Sequence, residues 1–241
     1  MRTGGLSNSS FSIDLRESLH LNDHGMRVGK LSLTNSFFTT DLGKYVYYKN
    51  GSGGIQYYIL PEQAYTGAQL AATLQLLTSR ASTYDPNANS ITQDATGGQE
   101  WLSDVDLKAY SSGFPAGAGP SAPLSINTIL GDYNFYVTSN PATYTIKWHF
   151  VKMSPYDYLF LRSRRLTVEN SHDPNGRHDV LAMIPLTKGI GAVETAGTPD
   201  GVYMKLPSDM TLRSIDFELT DYKGNVVDLR GRPLSFELCL D

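Results

Sequence analysis

One cluster of residues in the chain has the side chains to bind a metal ion. Two histidines, His172 and His178, and two aspartates, Asp173 and Asp179, lie within eight residues of one another. Imidazole nitrogens and carboxylate oxygens are metal ligands, so the four side chains could meet at one cation. The same stretch contains the turn-forming steps Asp-Pro and Asn-Gly and lies between two predicted strands. We therefore interpret residues 172–179 as a solvated loop.

A second run of oxygen-bearing side chains lies at residues 85–90, which read Asp-Pro-Asn-Ala-Asn-Ser. Calcium-binding loops also place oxygen ligands at alternate positions, but they add a central glycine and a distal bidentate glutamate. Both are missing from this run, so we interpret it as a turn. The five histidines likewise lack the His-x-His spacing with a glutamate by which cupins bind a metal inside a β-barrel. The sequence predicts no metal-binding residues and no cofactor.

The short motifs of common enzymes are also missing from the sequence. It contains no Gly-x-Ser-x-Gly nucleophile elbow, no Gly-x-x-x-x-Gly-Lys-Ser/Thr phosphate loop and no Gly-x-Gly-x-x-Gly dinucleotide fingerprint. Acyl transfer and nucleotide chemistry therefore have no support in the sequence. We predict that the protein is not an enzyme and has no catalytic residues. An enzyme on a β-barrel is a third alternative, behind the two functions given below.

The densest positive charge lies at Arg162, Arg164 and Arg165, directly after an apolar run. Such a cluster could contact phosphate, or it could be a charged strand end that pairs with acidic residues on a neighbouring molecule. The formal net charge of −4 provides no global electrostatic attraction for nucleic acid. We therefore favour pairing with acidic residues and predict no specific nucleic-acid partner.

Alternating apolar residues predict the strands that position these side chains. Residues 215–219, 236–240 and 144–151 alternate between apolar and polar types, the period of a strand with one buried face. An Asn-Gly step at residues 50–51, between two β-rich runs, predicts a tight hairpin. With 40% apolar residues, 22 glycines, 12 prolines and 18% charged residues, the composition suits many short strands joined by turns. Together these patterns predict an all-β sandwich of antiparallel strands.

Three segments depart from the strand pattern. Residues 66–79 predict a helix, with Thr66 as its N-cap and apolar residues on one side. Residues 1–10 are rich in Gly, Ser and Asn and predict a flexible N-terminal arm. Residues 96–124 are rich in Gly, Ser, Pro and Ala and predict a long surface insertion. Without an internal repeat or a shift in composition, residues 11–241 are predicted to form one domain.

The cysteine count and the hydropathy indicate the environment of the chain. Cys239 is the single cysteine, which excludes an intrachain disulfide, and its place on an alternating strand predicts a buried thiol. No apolar run approaches the roughly 18 residues that a membrane-spanning helix requires. The sequence therefore predicts a soluble protein without a membrane span, made in a reducing compartment.

Three segments of the chain resemble one family of viral proteins. Residues 31–38 read Leu-Ser-Leu-Thr-Asn-Ser-Phe-Phe, and residues 65–72 read Tyr-Thr-Gly-Ala-Gln-Leu-Ala-Ala. Residues 219–229 contain Leu-Thr-Asp and then Gly-Asn-Val-Val-Asp-Leu, followed by a strand at the C-terminus. In this order they resemble the penton, or minor capsid, proteins of Polinton-like viruses, adintoviruses and virophages. The similarity spans most of the chain.

The resemblance implies a fold and a function. Proteins of that family are similar to a single jelly roll, and they form pentamers at icosahedral vertices beside a separate, double-jelly-roll major capsid protein. The resemblance thus implies one jelly-roll β-sandwich with a short helix and loop insertions, acting as the homopentameric vertex of a double-stranded DNA virus capsid. It implies the major capsid protein as a partner, with a vertex fibre or host receptor as further candidates. It also implies a location in the virion, assembled inside the infected host cell.

A carbohydrate- or receptor-binding jelly roll is the alternative function. Lectins share this architecture, and the 15 tyrosines could form an aromatic platform for a sugar. Adenovirus penton bases, which resemble the same family, carry an integrin-binding Arg-Gly-Asp, whereas residues 230–232 read Arg-Gly-Arg. Receptor binding through that motif is therefore not predicted.

Overall fold

The computed structural model describes residues 2–21, 25–49, 54–94, 100–103, 106–107, 125–131, 135–140, 143–166, 176, 179–199, 202–206 and 210–240. His172, Asp173 and His178 lie outside the described residues, as does most of the predicted insertion over 96–124. Contacts divide the chain into two compact units. Unit 1 comprises Met1–Phe37 and Tyr156–Asp241, and unit 2 comprises Phe38–Pro155.

The described residues form sixteen strands, two α-helices and one short 3-10 turn. In chain order the strands are β1 (Arg2–Ser7), β2 (Ser10–Leu21), β3 (Gly25–Thr34), β4 (Tyr45–Lys49), β5 (Ile55–Ile59), β6 (Ser82–Asp85), β7 (Ser90–Asp94), β8 (Glu100–Trp101), β9 (Phe135–Asn140), β10 (Thr143–His149), β11 (Tyr158–Arg162), β12 (Val180–Pro185), β13 (Val193–Ala196), β14 (Met204–Lys205), β15 (Met210–Thr220) and β16 (Leu234–Leu240). The helices are α1 (Gly67–Thr78) and α2 (Asn127–Leu130), and the 3-10 turn is Thr39–Asp41.

Unit 1 is a sandwich of two antiparallel sheets. The first, sheet A, has the strand order β1-β2-β15-β11-β12. In the second, sheet B, β3 is central, with β16 on one side and β13 and β14 on the other. The pairs β2–β15 and β3–β16 join strands from opposite ends of the chain, the long-range pairing found in jelly rolls. The predicted fold class, an antiparallel jelly-roll sandwich, is confirmed.

The core of unit 1 forms where the inward faces of the two sheets meet. Its buried members occupy alternate strand positions, among them Leu31 and Leu33 of β3, Leu159 and Leu161 of β11, and Ile215, Phe217 and Leu219 of β15. The alternation at residues 215–219 is therefore that of a central strand with one face in the core.

The N-terminal residues form an edge strand of sheet A. Whereas the sequence predicts a flexible arm over residues 1–10, Arg2–Ser7 forms β1 and pairs with β2. The side-chain amide of Asn8 donates hydrogen bonds to the backbone carbonyls of Gly231 and Arg232, each at 3.0 Å. The segment has few apolar side chains, so its sequence lacks the alternation that identifies a strand. An edge strand can nevertheless be held by backbone hydrogen bonds, which glycine makes as any other residue does.

Unit 2 has two smaller sheets and its own core. The sheets have the orders β6-β7-β10-β9 and β5-β4-β8. Helix α1 begins after Thr66, whose hydroxyl accepts the Gln69 N–H at 3.3 Å while the Gln69 side chain accepts the Thr66 N–H at 2.9 Å. This capping box and the buried Leu70, Ala71 and Leu74 confirm the predicted helix and its N-cap. None of the described helices is long and apolar enough to cross a membrane.

In chain order, unit 2 lies between β3 and β11 of unit 1. The sequence predicts one jelly-roll domain over residues 11–241 with an insertion at 96–124, whereas contacts place residues 38–155 in a unit with its own core. The boundary has no signature in composition because both units consist of short antiparallel strands. Periodicity reports which residues form strands, but not which strands share a core.

Gly197 is a position where one added carbon is expected to lower stability. It directly follows β13, and a Cβ there would overlap the backbone carbonyl oxygen of Gly29 in β3. That oxygen cannot move without disturbing sheet B. We therefore expect Gly197→Ala to lower the free energy of unfolding by roughly 1–3 kcal/mol, the usual cost of overpacking, as measured by urea denaturation.

Gly189→Ala is the matched control for this prediction. Nothing lies within 4 Å of a Cβ placed at Gly189. The added methyl group should leave the urea midpoint unchanged or raise it slightly, because replacing glycine by alanine makes the unfolded chain less flexible. Equal midpoints for Gly197→Ala and Gly189→Ala would contradict the close approach of Gly197 to β3.

Candidate interaction surfaces

One side of the unit 1 sandwich is open. Between β2 and β15 of sheet A and β16 of sheet B lies a cleft of about 470 Å³. Its lining is apolar except for one serine and consists of Phe11, Ile13, Leu15, Ile215, Phe217, Leu234, Ser235, Phe236 and Leu238. We refer to this feature as the open cleft.

Three phenylalanines dominate the open cleft. The ring centroid of Phe217 lies 4.8 Å from that of Phe236 and 5.6 Å from that of Phe11. Phe217 is buried, but Phe11 and Phe236 are only half-buried although their positions face the other sheet. The apolar side chains that β2 and β16 contribute to the cleft are all half-buried. The two sheets therefore leave apolar surface accessible on this side.

A bulge in β2 lies beside the open cleft. In the pairing of β2 with β15, Asp14 lies opposite Ser214 and Leu19 lies opposite Leu212. Between these two pairs β2 has more residues than β15, so some residues of β2 have no pairing partner on β15. Bulges of this kind bend a strand and redirect its side chains. Here the bulge includes Leu15, which is half-buried and lines the cleft.

Strand β16 borders the open cleft as the edge of sheet B. It pairs with β3 on one side, and no strand in the described part of the chain pairs with its other side. Natural edge strands are commonly protected by lysine, proline or a bulge on the edge itself. β16 contains neither lysine nor proline, and its single charged residue is the exposed Glu237. Its pairing with β3 is irregular only between Phe236 and Leu238, where the extra residue belongs to β3 and not to the edge strand. A strand edge of this kind beside an apolar cleft can accept another polypeptide.

The first arginine of the 162–165 cluster is part of the interior of unit 1. Arg162 is 1% exposed. Its Nη1 donates to Asp179 at 2.6 Å, its Nε donates to the Thr220 hydroxyl at 2.7 Å, and its guanidinium carbon lies 5.4 Å from the ring centroid of Phe160. The side chain therefore links three strands or strand ends and is not available to a phosphate.

The two exposed arginines of the cluster bind residues of β15, where the Arg164 side chain pairs with a carboxylate and the Arg165 guanidinium donates to the hydroxyl and the backbone carbonyl of Ser214. Arg164 pairs with Glu218 at 2.9 Å, and Asp216 accepts the backbone N–H groups of Arg164 and Arg165 at 3.1 and 3.2 Å. The sequence predicts acidic partners on a neighbouring molecule, and the structure instead supplies them on β15 of the same unit. The cause is the antiparallel pairing of β11 with β15, which places these charges side by side.

The candidate metal residues have structural roles where the structure describes them. Asp179 pairs with Arg162. In the run at residues 85–90, the Asp85 carboxylate accepts the backbone N–H of Asn87 at 2.9 Å, so the predicted turn is confirmed. Within the described ranges, no three His, Cys, Asp or Glu side chains come together as a set of metal ligands.

The tyrosines that the structure describes do not form one exposed aromatic platform. Burial raises the pKa of Tyr47 and of Tyr48 to about 12, and both rings lie within the core of unit 2. Among the described tyrosines that are exposed, Tyr158 lies at the start of β11, Tyr203 precedes β14 and Tyr222 lies in the turn after β15. They belong to three different elements and are not aligned along one strand.

The sequence does not predict the open cleft, although the strands that line it can be recognised from their alternating apolar residues. The alternation at residues 215–219 and 236–240 identifies two strands that line the cleft, and residues 11–15 alternate in the same way. The sequence does not show that β2 and β15 are neighbours in one sheet, or that β16 forms the edge of the other sheet. Edge and centre strands share the same apolar period.

The architecture is that of an antiparallel jelly-roll β-sandwich protein. Among solved structures, the chain is similar to the crystal structure of the selenomethionine-labelled mavirus penton protein. The TM-score is 0.47 and the sequence identity is 9%, with 96% of this chain and 90% of that chain covered. No protein-family description and no curated protein matches the sequence.

Proposed function

We propose that the protein is a structural capsid protein that forms the vertex of an icosahedral virus capsid. The observation that carries the proposal is the order of residues 31–38, 65–72 and 219–229, which resemble penton proteins. Each segment has a defined place in the fold. The first ends β3, the second begins α1, and the third joins β15 to the chain that enters β16.

The third segment contains a turn that side-chain hydrogen bonds hold in place. Asp221 is buried, and its carboxylate accepts the backbone N–H groups of Lys223 at 2.8 Å and Asn225 at 2.9 Å. The side-chain amide of Asn225 donates to the same carboxylate at 3.0 Å, and Gly224 adopts a φ of +89°, which favours glycine. The residues that carry the resemblance therefore shape the reversal that precedes the open edge β16.

Five copies of the protein close a ring at the vertex. Such a ring requires heterologous contacts, in which one surface of each copy meets a different surface of the next. The major capsid protein surrounds the ring, and a vertex fibre or a host receptor contacts its outer side. The protein resides in the virion and assembles inside the infected cell. It acts through binding alone, without catalysis or a cofactor.

Native mass spectrometry of the purified chain tests this function. We expect a species of five times the 26.5 kDa chain mass, which shifts toward monomer as the protein is diluted. The matched control is the Gly189→Ala variant, which should give the same distribution because that site is open to solvent.

The alternative function predicts a different outcome of the same experiment. A carbohydrate-binding jelly roll would remain monomeric and would gain mass on addition of glycans. A monomer at every concentration that retains a bound glycan would overturn the vertex assignment and support the lectin.

A further inference from the structure

We propose that the open cleft binds an extended segment of another polypeptide, which pairs with β16 and becomes a further strand of sheet B. The proposal stands on the geometry of unit 1 alone and does not rest on the vertex function. It assigns to the bound segment apolar side chains at every second position. It also assigns to it a lysine or arginine opposite Glu237.

The size of the open cleft selects a strand as the occupant. A stable interface between folded proteins buries about 800 Å² on each partner, more than a narrow cleft lined by three strands can supply. An apolar cavity of ~150 Å³ holds one benzene-sized group, so a cleft of about 470 Å³ has room for roughly three apolar side chains. Three side chains at alternate positions span five residues of a strand. That is the span from Leu234 to Leu238, whose alternate residues line the cleft.

The backbone groups along the outer edge of β16 also favour a strand as the occupant of the open cleft. Along the outer edge of a strand, N–H and C=O groups point away from the sheet at a regular spacing. An added strand satisfies these groups with its own backbone, which a lipid or an apolar small molecule cannot do. The inward side chains of the added strand would then meet the half-buried Phe11, Ile13 and Leu15 of β2. Backbone pairing and apolar burial thus favour the same occupant.

Charge determines the polar positions of the bound segment. Glu237 is exposed and is the one charged residue of β16, on the face opposite to Phe236 and Leu238. Opposite charges directly across an antiparallel pair stabilise it, and like charges destabilise it. A segment with a lysine or arginine in register with Glu237 is therefore preferred over an acidic segment.

Synthetic peptides provide the first test. The probe is Lys-Val-Thr-Val-Lys-Val-Thr, and its control, Lys-Thr-Val-Val-Val-Thr-Lys, has the same composition without alternation. We expect the alternating peptide to bind at least roughly tenfold more tightly in isothermal titration calorimetry, because all three of its valines can face the cleft together, whereas the control has at most two valines on one face of a strand, flanked there by lysines. We also expect it to slow hydrogen exchange of the β16 amides.

A charge reversal provides the second test and keeps the fold intact. Glu237→Lys changes an exposed side chain, so the melting temperature should stay the same. Its affinity for the lysine peptide should fall by roughly three- to tenfold, and its affinity for Glu-Val-Thr-Val-Glu-Val-Thr should rise by a similar factor. This exchange of preference is not expected if the peptide binds elsewhere.

Several outcomes would overturn the proposal. Equal binding of the two valine peptides would show that alternation is not recognised. An unchanged charge preference in Glu237→Lys would place the peptide away from β16. Slow exchange of the β16 amides in the free protein, with no peptide binding, would show that a second copy occupies the edge. Binding of an apolar dye to the cleft without peptide binding would assign the site to small molecules.

Discussion

Phe217→Asp is expected to abolish the folded protein. Phe217 is 2% exposed and packs between the rings of Phe11 and Phe236, at 5.6 and 4.8 Å. A carboxylate at this position would be buried without a partner. Its burial costs several kcal/mol, against a total stability of about 5–15 kcal/mol for a typical domain. Soluble yield and the thermal transition in circular dichroism measure the effect.

Two variants show that the loss comes from burial of charge at this position. Arg213→Asp introduces the same residue on an exposed position of the same strand, β15, and should keep a cooperative transition. Phe217→Leu keeps an apolar side chain and should lower the melting temperature without abolishing the fold. If Phe217→Asp melts like the parent, the inward face of β15 is assigned wrongly.

Much of the local structure follows from short-range sequence patterns. The Thr66 capping box predicts the start of α1, and the alternation at residues 144–151 predicts the strand observed as β10. In each case the signal lies within one element, since capping and side-chain period depend on neighbours in the chain.

Long-range pairing limits what the sequence predicts. β2 pairs with β15, and β16 pairs with β3, across nearly the whole length of the chain. Strand period fixes which face is buried, but it does not select the partner strand. For this reason the division into two units and the edge position of β16 could not be predicted. Cys239 is half-buried, less than predicted, because it lies on the same face of β16 as the exposed Glu237, opposite to Phe236 and Leu238.

The arginine cluster shows the same limit at the level of one side chain. A run of three arginines within four residues indicates an exposed, charged strand end. Arg162 instead lies on the same face of β11 as Phe160, and its carboxylate partner Asp179 lies just before β12, the neighbouring strand. Pairing between strands, which the sequence does not display, makes burial of this charge possible.

Arg162→Met is expected to be strongly destabilising. The variant removes the guanidinium that donates to Asp179 at 2.6 Å and to Thr220 at 2.7 Å, and it leaves the Asp179 carboxylate in a site that is 8% exposed. Removing one partner of a buried ion pair typically costs about 3–5 kcal/mol, because the remaining charge is uncompensated. Urea denaturation should show a lower midpoint with an unchanged slope.

The double variant Arg162→Met with Asp179→Leu separates the cost of an unpaired charge from the value of the pair. Each single variant leaves one buried charge, whereas the double variant leaves none and should recover most of the stability lost by Arg162→Met. The exposed pair of Arg164 and Glu218 is the matched control: the Arg164 side chain is 70% exposed, so Arg164→Met should cost at most about 1 kcal/mol. Additive losses in the double variant, or equal losses for Arg162→Met and Arg164→Met, would contradict a buried, coupled pair.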